Sequence, residues 1–179
     1  MIRRSSIASI STRATAALAI SILSGWAAVA QDKVVATANF QDAEGVPNGT
    51  GTVTAVPIGV LIELDIRGLP PGRFVATHVH EAGQCDPAHG HESAGSHFNP
   101  SDAPHGYLVE GGPHAGDLPN QYVDREGELR AQIFSGTMTL DGGPADIRGR
   151  ALIIHAQPDD YETQPAGGAG DRLACAVLE

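Results

Sequence analysis

Residues 77–117 read THVHEAGQCDPAHGHESAGSHFNPSDAPHGYLVEGGPHAGD. Seven of the eight histidines in the 179-residue chain lie in this stretch, and the eighth is His155. Histidine is the most common side-chain ligand of transition metals, because its neutral imidazole offers a nitrogen lone pair near pH 7. The density of histidines therefore predicts a metal centre, and the alternative is a loop of solvated surface histidines.

The spacing within this stretch indicates how the ligands would be presented. His78 and His80 are two residues apart, so on a β-strand both would point to one face while Val79 points into a core. The other candidates lie in loop-like sequence rich in Gly, Pro, Asn and Asp, and they are His97, His105, His114 and Asp117. This set suits an imidazole-rich copper site and a zinc site of three nitrogens and one oxygen.

Six segments make the chain resemble the copper/zinc superoxide dismutases. They are HVHE (78–81), SAGSHFNP (93–100), PH (104–105), GGPHAGDLPN (111–120), ALIIH (151–155) and GGAGDRLAC (167–175). All six occur in the order of that family, which makes the resemblance specific. It implies an all-β fold, an eight-stranded antiparallel Greek-key β-barrel (an immunoglobulin-like sandwich) with long metal-binding loops.

The resemblance also implies a role for each candidate residue. Copper would be bound by His78, His80, His97 and His155. Zinc would be bound by His97, His105, His114 and Asp117, so that His97 bridges the two ions as an imidazolate. Asp159 would hydrogen-bond one histidine of each site and fix its orientation. Arg172 would be the active-site arginine, which makes Arg172 and His97 the predicted catalytic residues.

The resemblance implies an exported copper/zinc superoxide dismutase, an oxidoreductase that converts superoxide to dioxygen and hydrogen peroxide by copper redox cycling. One alternative is a periplasmic protein that buffers or delivers copper and zinc with little turnover. Arg172 argues against this alternative, because metal storage needs no anion site. Another alternative is a structural β-barrel whose metals only stabilise the fold.

Cys85 and Cys175 are the two cysteines of the chain. In an exported protein, two cysteines predict one disulfide, and the resemblance places both at the family's disulfide positions. The alternative is a pair of free thiols.

Two loops depart from the family pattern. Eleven residues separate Cys85 from His97, so this loop contains an insertion. His89 and His91 lie in the insertion and match no family ligand, and we expect a solvated loop there rather than an additional metal-capture site. The stretch from Asp159 to Arg172 is shorter than in the animal enzymes, so we expect Arg172 to provide most of the local attraction for the anion.

The N-terminus has the pattern of an export signal. Arg3, Arg4 and Arg13 form a basic leader, residues 16–28 are mostly apolar, and Ala28-Val29-Ala30 resembles a cleavage site. These features predict a cleaved signal peptide over residues 1–30 and a superoxide dismutase domain over residues 31–179, in the periplasm or outside the cell. The apolar run is too short and too interrupted for a good membrane span. The alternative to a cleaved signal is an uncleaved anchor.

The charge of the predicted mature chain excludes several partners. Removing the three arginines of residues 1–30 from the 11 basic residues leaves 8 against 21 acidic residues, a formal charge of −13. Such a chain is a poor partner for nucleic acid or an anionic membrane. The superoxide anion remains the predicted partner, and the sequence leaves a homodimer open.

Eight runs of alternating or β-branched residues predict strands. They cover residues 34–40, 51–56, 60–66, 74–80, 128–134, 136–140, 150–155 and 173–178. Pro47-Asn48-Gly49 predicts a turn before the second strand, and residues 81–120 are expected to form long loops nearly without strands.

Overall fold

The computed structural model describes residues 35–179, so the predicted signal peptide and the cleavage site after Ala30 lie outside the described residues. The described part contains eight β-strands and two short 3-10 helices. The strands are β1 (Val35–Asp42), β2 (Pro47–Val56), β3 (Gly59–Ile66), β4 (Arg73–His80), β5 (Asp117–Val123), β6 (Leu129–Ser135), β7 (Ala151–His155) and β8 (Arg172–Val177). The 3-10 helices are Pro87–His89 and Glu92–Ala94. Within residues 35–179, the structure contains no helix that is long and apolar enough to cross a membrane.

The strands form one antiparallel sheet in the order β5-β4-β7-β8-β1-β2-β3-β6. The two end strands, β5 and β6, lie against each other and nearly close the sheet into a barrel. The predicted eight-stranded antiparallel β-barrel is therefore confirmed.

The interior of the barrel is filled by alternate residues of each strand, as the period-two pattern requires. On β3, for example, Val60, Ile62 and Ile66 are fully buried while Glu63 and Asp65 are exposed. The main core also contains Phe40, Leu129, Met138, Leu152, Ile154 and Leu178.

A second, smaller cluster lies on the other face of β7. It contains Ala94, Ala151, Ile153 and Cys175, with Cys85 packed against it. Every residue of β7 is buried because one face contributes to the main core and the other is covered by this cluster. The segment between Cys85 and His97 is thereby held against the barrel wall.

The prediction of a strand at residues 136–140 is wrong. The structure still has eight strands, because β5 forms where the sequence predicted mainly loop. Met138 and Leu140 are buried, as the alternation predicts, but this segment makes only an isolated bridge, from Thr139 to Asp146. The additional strand is β5, whose Pro119 and Asn120 resemble turn sequence. Pro119 lies where the β4–β5 register shifts, in a strand at the end of the strand order. Because no partner residue is paired with it there, its missing N–H removes no hydrogen bond from the sheet.

The predicted turn at Pro47-Asn48-Gly49 is also wrong, because these residues belong to β2. The chain reverses earlier, where the Asp42 carboxylate accepts hydrogen bonds from the backbone N–H groups of Glu44 and Val46. Asn48 is then the extra residue of a bulge, since Phe40 pairs with Gly49 and Gln41 pairs with Pro47.

Candidate metal centre

The strands β4 and β7 present three histidines on the outer wall of the barrel. His78 and His80 alternate with the core residue Val79, and His155 ends β7 beside them, as the pairing of His78 with Ile153 requires. His97 follows the insertion, and its backbone pairs with that of His80 in an isolated antiparallel β-bridge. Loop residues cover all four imidazoles, which are buried.

The first group consists of these four histidines, whose ligand atoms lie within 4.8 Å of one another. Three of the rings use one nitrogen for an orienting hydrogen bond. His78 Nε2 donates to Asp159 Oδ2 (2.9 Å), His80 Nδ1 to the Gly95 carbonyl (2.8 Å) and His155 Nδ1 to the Gly170 carbonyl (3.3 Å). The opposite nitrogens converge, and His80 Nε2 lies 3.3 Å from His155 Nε2.

The second group consists of His97, His105, His114 and Asp117, and it shares His97 with the first group. His97 Nδ1 lies 2.8 Å from Asp117 Oδ1 and 3.4 Å from His114 Nδ1. His105 Nδ1 lies 3.0 Å from Asp117 Oδ2, although not in hydrogen-bond geometry, since that nitrogen has no hydrogen-bond partner. Because Nδ1 of His97 belongs to the second group, Nε2 is the nitrogen that faces the first.

The donor atoms of both groups fit transition metals. His78 Nδ1, His97 Nε2 and His105 Nδ1 are buried without a hydrogen-bond partner in the described part of the chain, and unpaired buried polar atoms are costly. Ligand atoms bound tetrahedrally at the usual zinc–nitrogen distance lie about 3.3 Å apart. The separations of 3.3 Å between His80 Nε2 and His155 Nε2, and between His114 Nδ1 and Asp117 Oδ1, agree with this spacing.

Asp159 joins the two groups through a hydrogen bond to one histidine of each. Its Oδ2 contacts His78 and its Oδ1 accepts a hydrogen bond from His105 Nε2 at 3.0 Å. Asn120 holds the backbone of Asp159 through two hydrogen bonds of 2.8 Å. Gly167 packs so closely that a Cβ there would overlap Asp159 Oδ1. Sequence reasoning missed the positions of Asn120 and Gly167, and their only signal is that each lies in a segment resembling the family.

The protonation states suit metal binding in the first group. Burial lowers the pKa of His78 to about 4, of His155 to about 3 and of His80 to about 2. These three rings are therefore neutral at pH 7, which is the form of imidazole that binds a metal.

The second group contains an ionised acid and a protonated histidine when no metal is bound. Burial opposes ionisation of Asp117, but its close contacts with His105 and His97 outweigh burial and hold the pKa of Asp117 far below its usual range. Burial also lowers the pKa of His105, but its contacts with Asp117 and Asp159 outweigh that effect and raise the pKa to about 9.

Arg172 lies at the start of β8, at the wall of an open cavity of about 1000 Å³ that His80, His97 and His155 also line. Its guanidinium donates to the carbonyls of His91 (2.8 Å) and Gly95 (2.9 Å), and it lies 3.4 Å from Glu92 Oε2. Since the Gly95 carbonyl also accepts from His80, one peptide group positions both the arginine and a histidine of the first group.

Cys85 and Cys175 form a disulfide, which confirms the predicted pairing. Of the two histidines between Cys85 and His97, His89 is exposed and pairs with Asp86 at 2.6 Å, in agreement with a solvated loop. The solvated-loop prediction is wrong for His91, whose side chain is fully buried.

The geometry can be compared with known proteins. The sequence profile described as "Copper/zinc superoxide dismutase (SODC)" matches residues 47–178. This chain belongs to the copper/zinc superoxide dismutase family. The resemblance found in the sequence is thereby confirmed, together with copper and zinc as the family's metals.

Individual relatives in the family agree. "Superoxide dismutase [Cu-Zn] 2" of Aquifex aeolicus (strain VF5) is 43% identical over 165 residues, covering 90% of this chain and 95% of the relative. A SOD-like protein from Bacillus subtilis has a crystal structure that is similar at a TM-score of 0.76, with 34% identity over 80% of this chain and 97% of that one. The Cu/Zn superoxide dismutase from Brucella abortus is similar at a TM-score of 0.68, with 26% identity over 82% of this chain and 100% of that one.

Proposed function

We propose that this chain disproportionates superoxide with copper bound by His78, His80, His97 and His155 and zinc bound by His97, His105, His114 and Asp117. The observation that carries the proposal is the shared imidazole of His97. Its Nε2 is buried without a partner on the side of the first group, and its Nδ1 lies among the donor atoms of the second. A protein that only stored two metals would need two sites, but not a ring common to both.

The reaction consumes two superoxide anions and two protons and yields one dioxygen and one hydrogen peroxide. Copper, when bound, supplies the one-electron exchange that oxidises one superoxide and reduces the next. The chain itself must hold the ligands, attract a small anion and deliver protons.

His97 is proposed to handle one of these protons. With its Nδ1 committed to the second group, Nε2 is the remaining nitrogen of the ring that can accept or release a proton. Asp117 restrains the ring through the 2.8 Å contact with Nδ1. The ring thus keeps one orientation beside the cavity that His97 lines, with Nε2 on the side of the first group.

Arg172 is proposed to attract and orient the anion. Its side chain is only 13% exposed, so its charge acts in a partly desolvated wall where a charge-assisted hydrogen bond is strong. Two backbone carbonyls fix the guanidinium. This local positive charge can act within a Debye length, about 8–10 Å at physiological salt, despite the negative charge of the whole chain.

We further propose that residues 1–30 are a cleaved export signal and that residues 31–179 act in the periplasm or outside the cell. The support is the pattern of the N-terminus together with the disulfide, because disulfides persist in oxidising compartments. The formal charge of −13 favours a small-molecule substrate over nucleic acid or an anionic membrane. This assignment does not depend on whether the protein is a monomer or a homodimer.

The test is the decay of superoxide followed directly after pulse generation, with the exported chain in three states. The protein loaded with copper and zinc should accelerate the decay in proportion to its concentration, without being consumed. The metal-free and the zinc-only proteins are the controls and should leave the decay unchanged. Stable binding of both metals without acceleration would instead indicate metal buffering.

A further inference from the structure

One histidine outside both metal groups has a position that the proposed function does not yet explain. His91 lies in the insertion between Cys85 and His97, where most residues are exposed or half-buried, yet its side chain is fully buried. Its backbone is in the left-handed region at φ 60°, which few residues other than glycine adopt.

The ring of His91 makes one directed contact. Its Nε2 lies 3.0 Å from the backbone carbonyl of Asp42, at the end of β1. A carbonyl oxygen only accepts, so Nε2 must carry the proton and donate. Nδ1 is buried without a partner. An apolar side chain could fill this space without leaving a buried nitrogen unpaired. The hydrogen bond from Nε2 to Asp42 is therefore the feature that distinguishes histidine here.

The backbone of His91 makes the second contact, because its carbonyl accepts a hydrogen bond from Arg172 Nη1 at 2.8 Å. Arg172 begins β8, and Ala174 of the same strand pairs with Asp42 of β1. His91 is therefore attached to two neighbouring strands. Its carbonyl contacts Arg172 of β8, and its ring contacts Asp42 of β1, which pairs with β8.

We propose that His91 is a positioning residue for Arg172. By donating to Asp42, its imidazole fixes the peptide carbonyl that holds the guanidinium, so that Arg172 faces the cavity in one orientation. The same carbonyl also accepts a hydrogen bond from the Ala94 N–H (3.1 Å), and the ring of His91 adds the contact that joins this turn to β1. The proposal rests on the anion role of Arg172 in the proposed function.

A matched pair of substitutions isolates the hydrogen bond. His91→Gln keeps an N–H donor at a similar distance from the backbone, whereas His91→Met has a similar length and no donor. Both are measured in the full chain loaded with copper and zinc, with azide as the probe, by titrating the copper absorption spectrum. We expect His91→Met to weaken azide binding about three- to tenfold, the effect of one lost hydrogen bond, and His91→Gln to stay near wild type.

The route through Arg172 is tested by combining substitutions. Arg172→Ala should weaken azide binding, and His91→Met should cause no further loss in the Arg172→Ala protein. A full further loss in the double variant would show that His91 acts independently of Arg172 and would overturn the proposal. If Arg172→Ala alone binds azide like wild type, the anion role of Arg172 fails. If Arg172→Ala weakens binding but His91→Met does not, only the role of His91 fails.

A further variant covers the case in which His91→Met does not fold. His91→Gly keeps the positive φ without steric cost and removes the ring, so it should show the same loss of azide affinity. Metal content and melting temperature are measured for each protein. A lower melting temperature with wild-type azide affinity would show a purely structural role and would overturn the proposal.

Discussion

Asp159 and His78 are joined by a fully buried hydrogen bond of 2.9 Å between His78 Nε2 and Asp159 Oδ2. An ionised carboxylate only accepts, so the proton of His78 lies on Nε2 and the lone pair of Nδ1 faces the first metal group. Because Asp159 also accepts from His105, one acid orients a histidine of each group.

Replacing Asp159 by Asn should therefore weaken metal binding. An amide offers an acceptor on one side and a donor on the other, so one of the two imidazoles loses its acceptor. We expect the affinity of at least one metal to fall about 10–100-fold, measured by competition with a chelator of known affinity. Asp160→Asn, with the same change of charge on the exposed neighbouring residue, is the control. Equal affinities in the two variants would contradict the orienting role.

Glu92 should reduce the attraction of superoxide. Its carboxylate is 74% exposed, lines the cavity and lies 3.4 Å from Arg172. Glu92→Gln removes a like charge from the path of the anion, and we expect the superoxide rate constant to rise about 1.5- to 3-fold at low ionic strength and the gain to shrink with added salt. Glu126→Gln makes the same change of net charge at an exposed turn away from the cavity. An equal gain there would mean that net charge, and not the position of Glu92, matters.

Zinc binding should release a proton from His105. The pKa of this ring is raised to about 9, so the ring is protonated in the metal-free protein at pH 7 and must lose its proton to bind zinc. We expect release of about one proton from His105 at pH 7, declining as the pH rises through 9. Calorimetric titration in buffers of different protonation enthalpy measures this number. A release that grows with pH would contradict the assignment.

The disulfide should stabilise the protein substantially. Cys85 and Cys175 are 90 residues apart, and chain-entropy arithmetic gives about 4–5 kcal/mol for a loop of this length. Replacing both cysteines by serine should lower the free energy of unfolding of the metal-free protein by an amount of this order, measured with denaturant. A loss below about 1 kcal/mol would mean that the unfolded chain gains little freedom when the bridge is absent.

β1, β3 and β6 could be predicted because they alternate buried and exposed residues, and the resemblance to the family implied the barrel. The barrel, the copper/zinc superoxide dismutase family and its function are confirmed. β5 was not predictable in the same way, because Pro119 and Asn120 have the chemistry of a turn. The pairing of β5 with β4 depends on a bulge that only the folded sheet reveals. For residues 136–140, the alternation correctly predicts that Met138 is buried. It does not show whether another strand lies alongside to pair with this segment, and the segment makes only an isolated bridge.

The candidate ligands could be predicted because metal chemistry limits the residue types, and the structure brings all of them into two groups. Their individual roles remain predictions. His91 shows where sequence reasoning ends. Its burial depends on the end of β1 lying beside the insertion, a contact across 49 residues that no local pattern encodes.

The central claim is that the single ring of His97 serves two different metals. Anomalous diffraction from crystals of the copper- and zinc-loaded protein, with data at both absorption edges, tests this directly. The account predicts copper among His78, His80, His97 and His155, and zinc on the other side of the His97 ring among His105, His114 and Asp117. Zinc on both sides after full copper loading, or a metal bound away from His97, would contradict it.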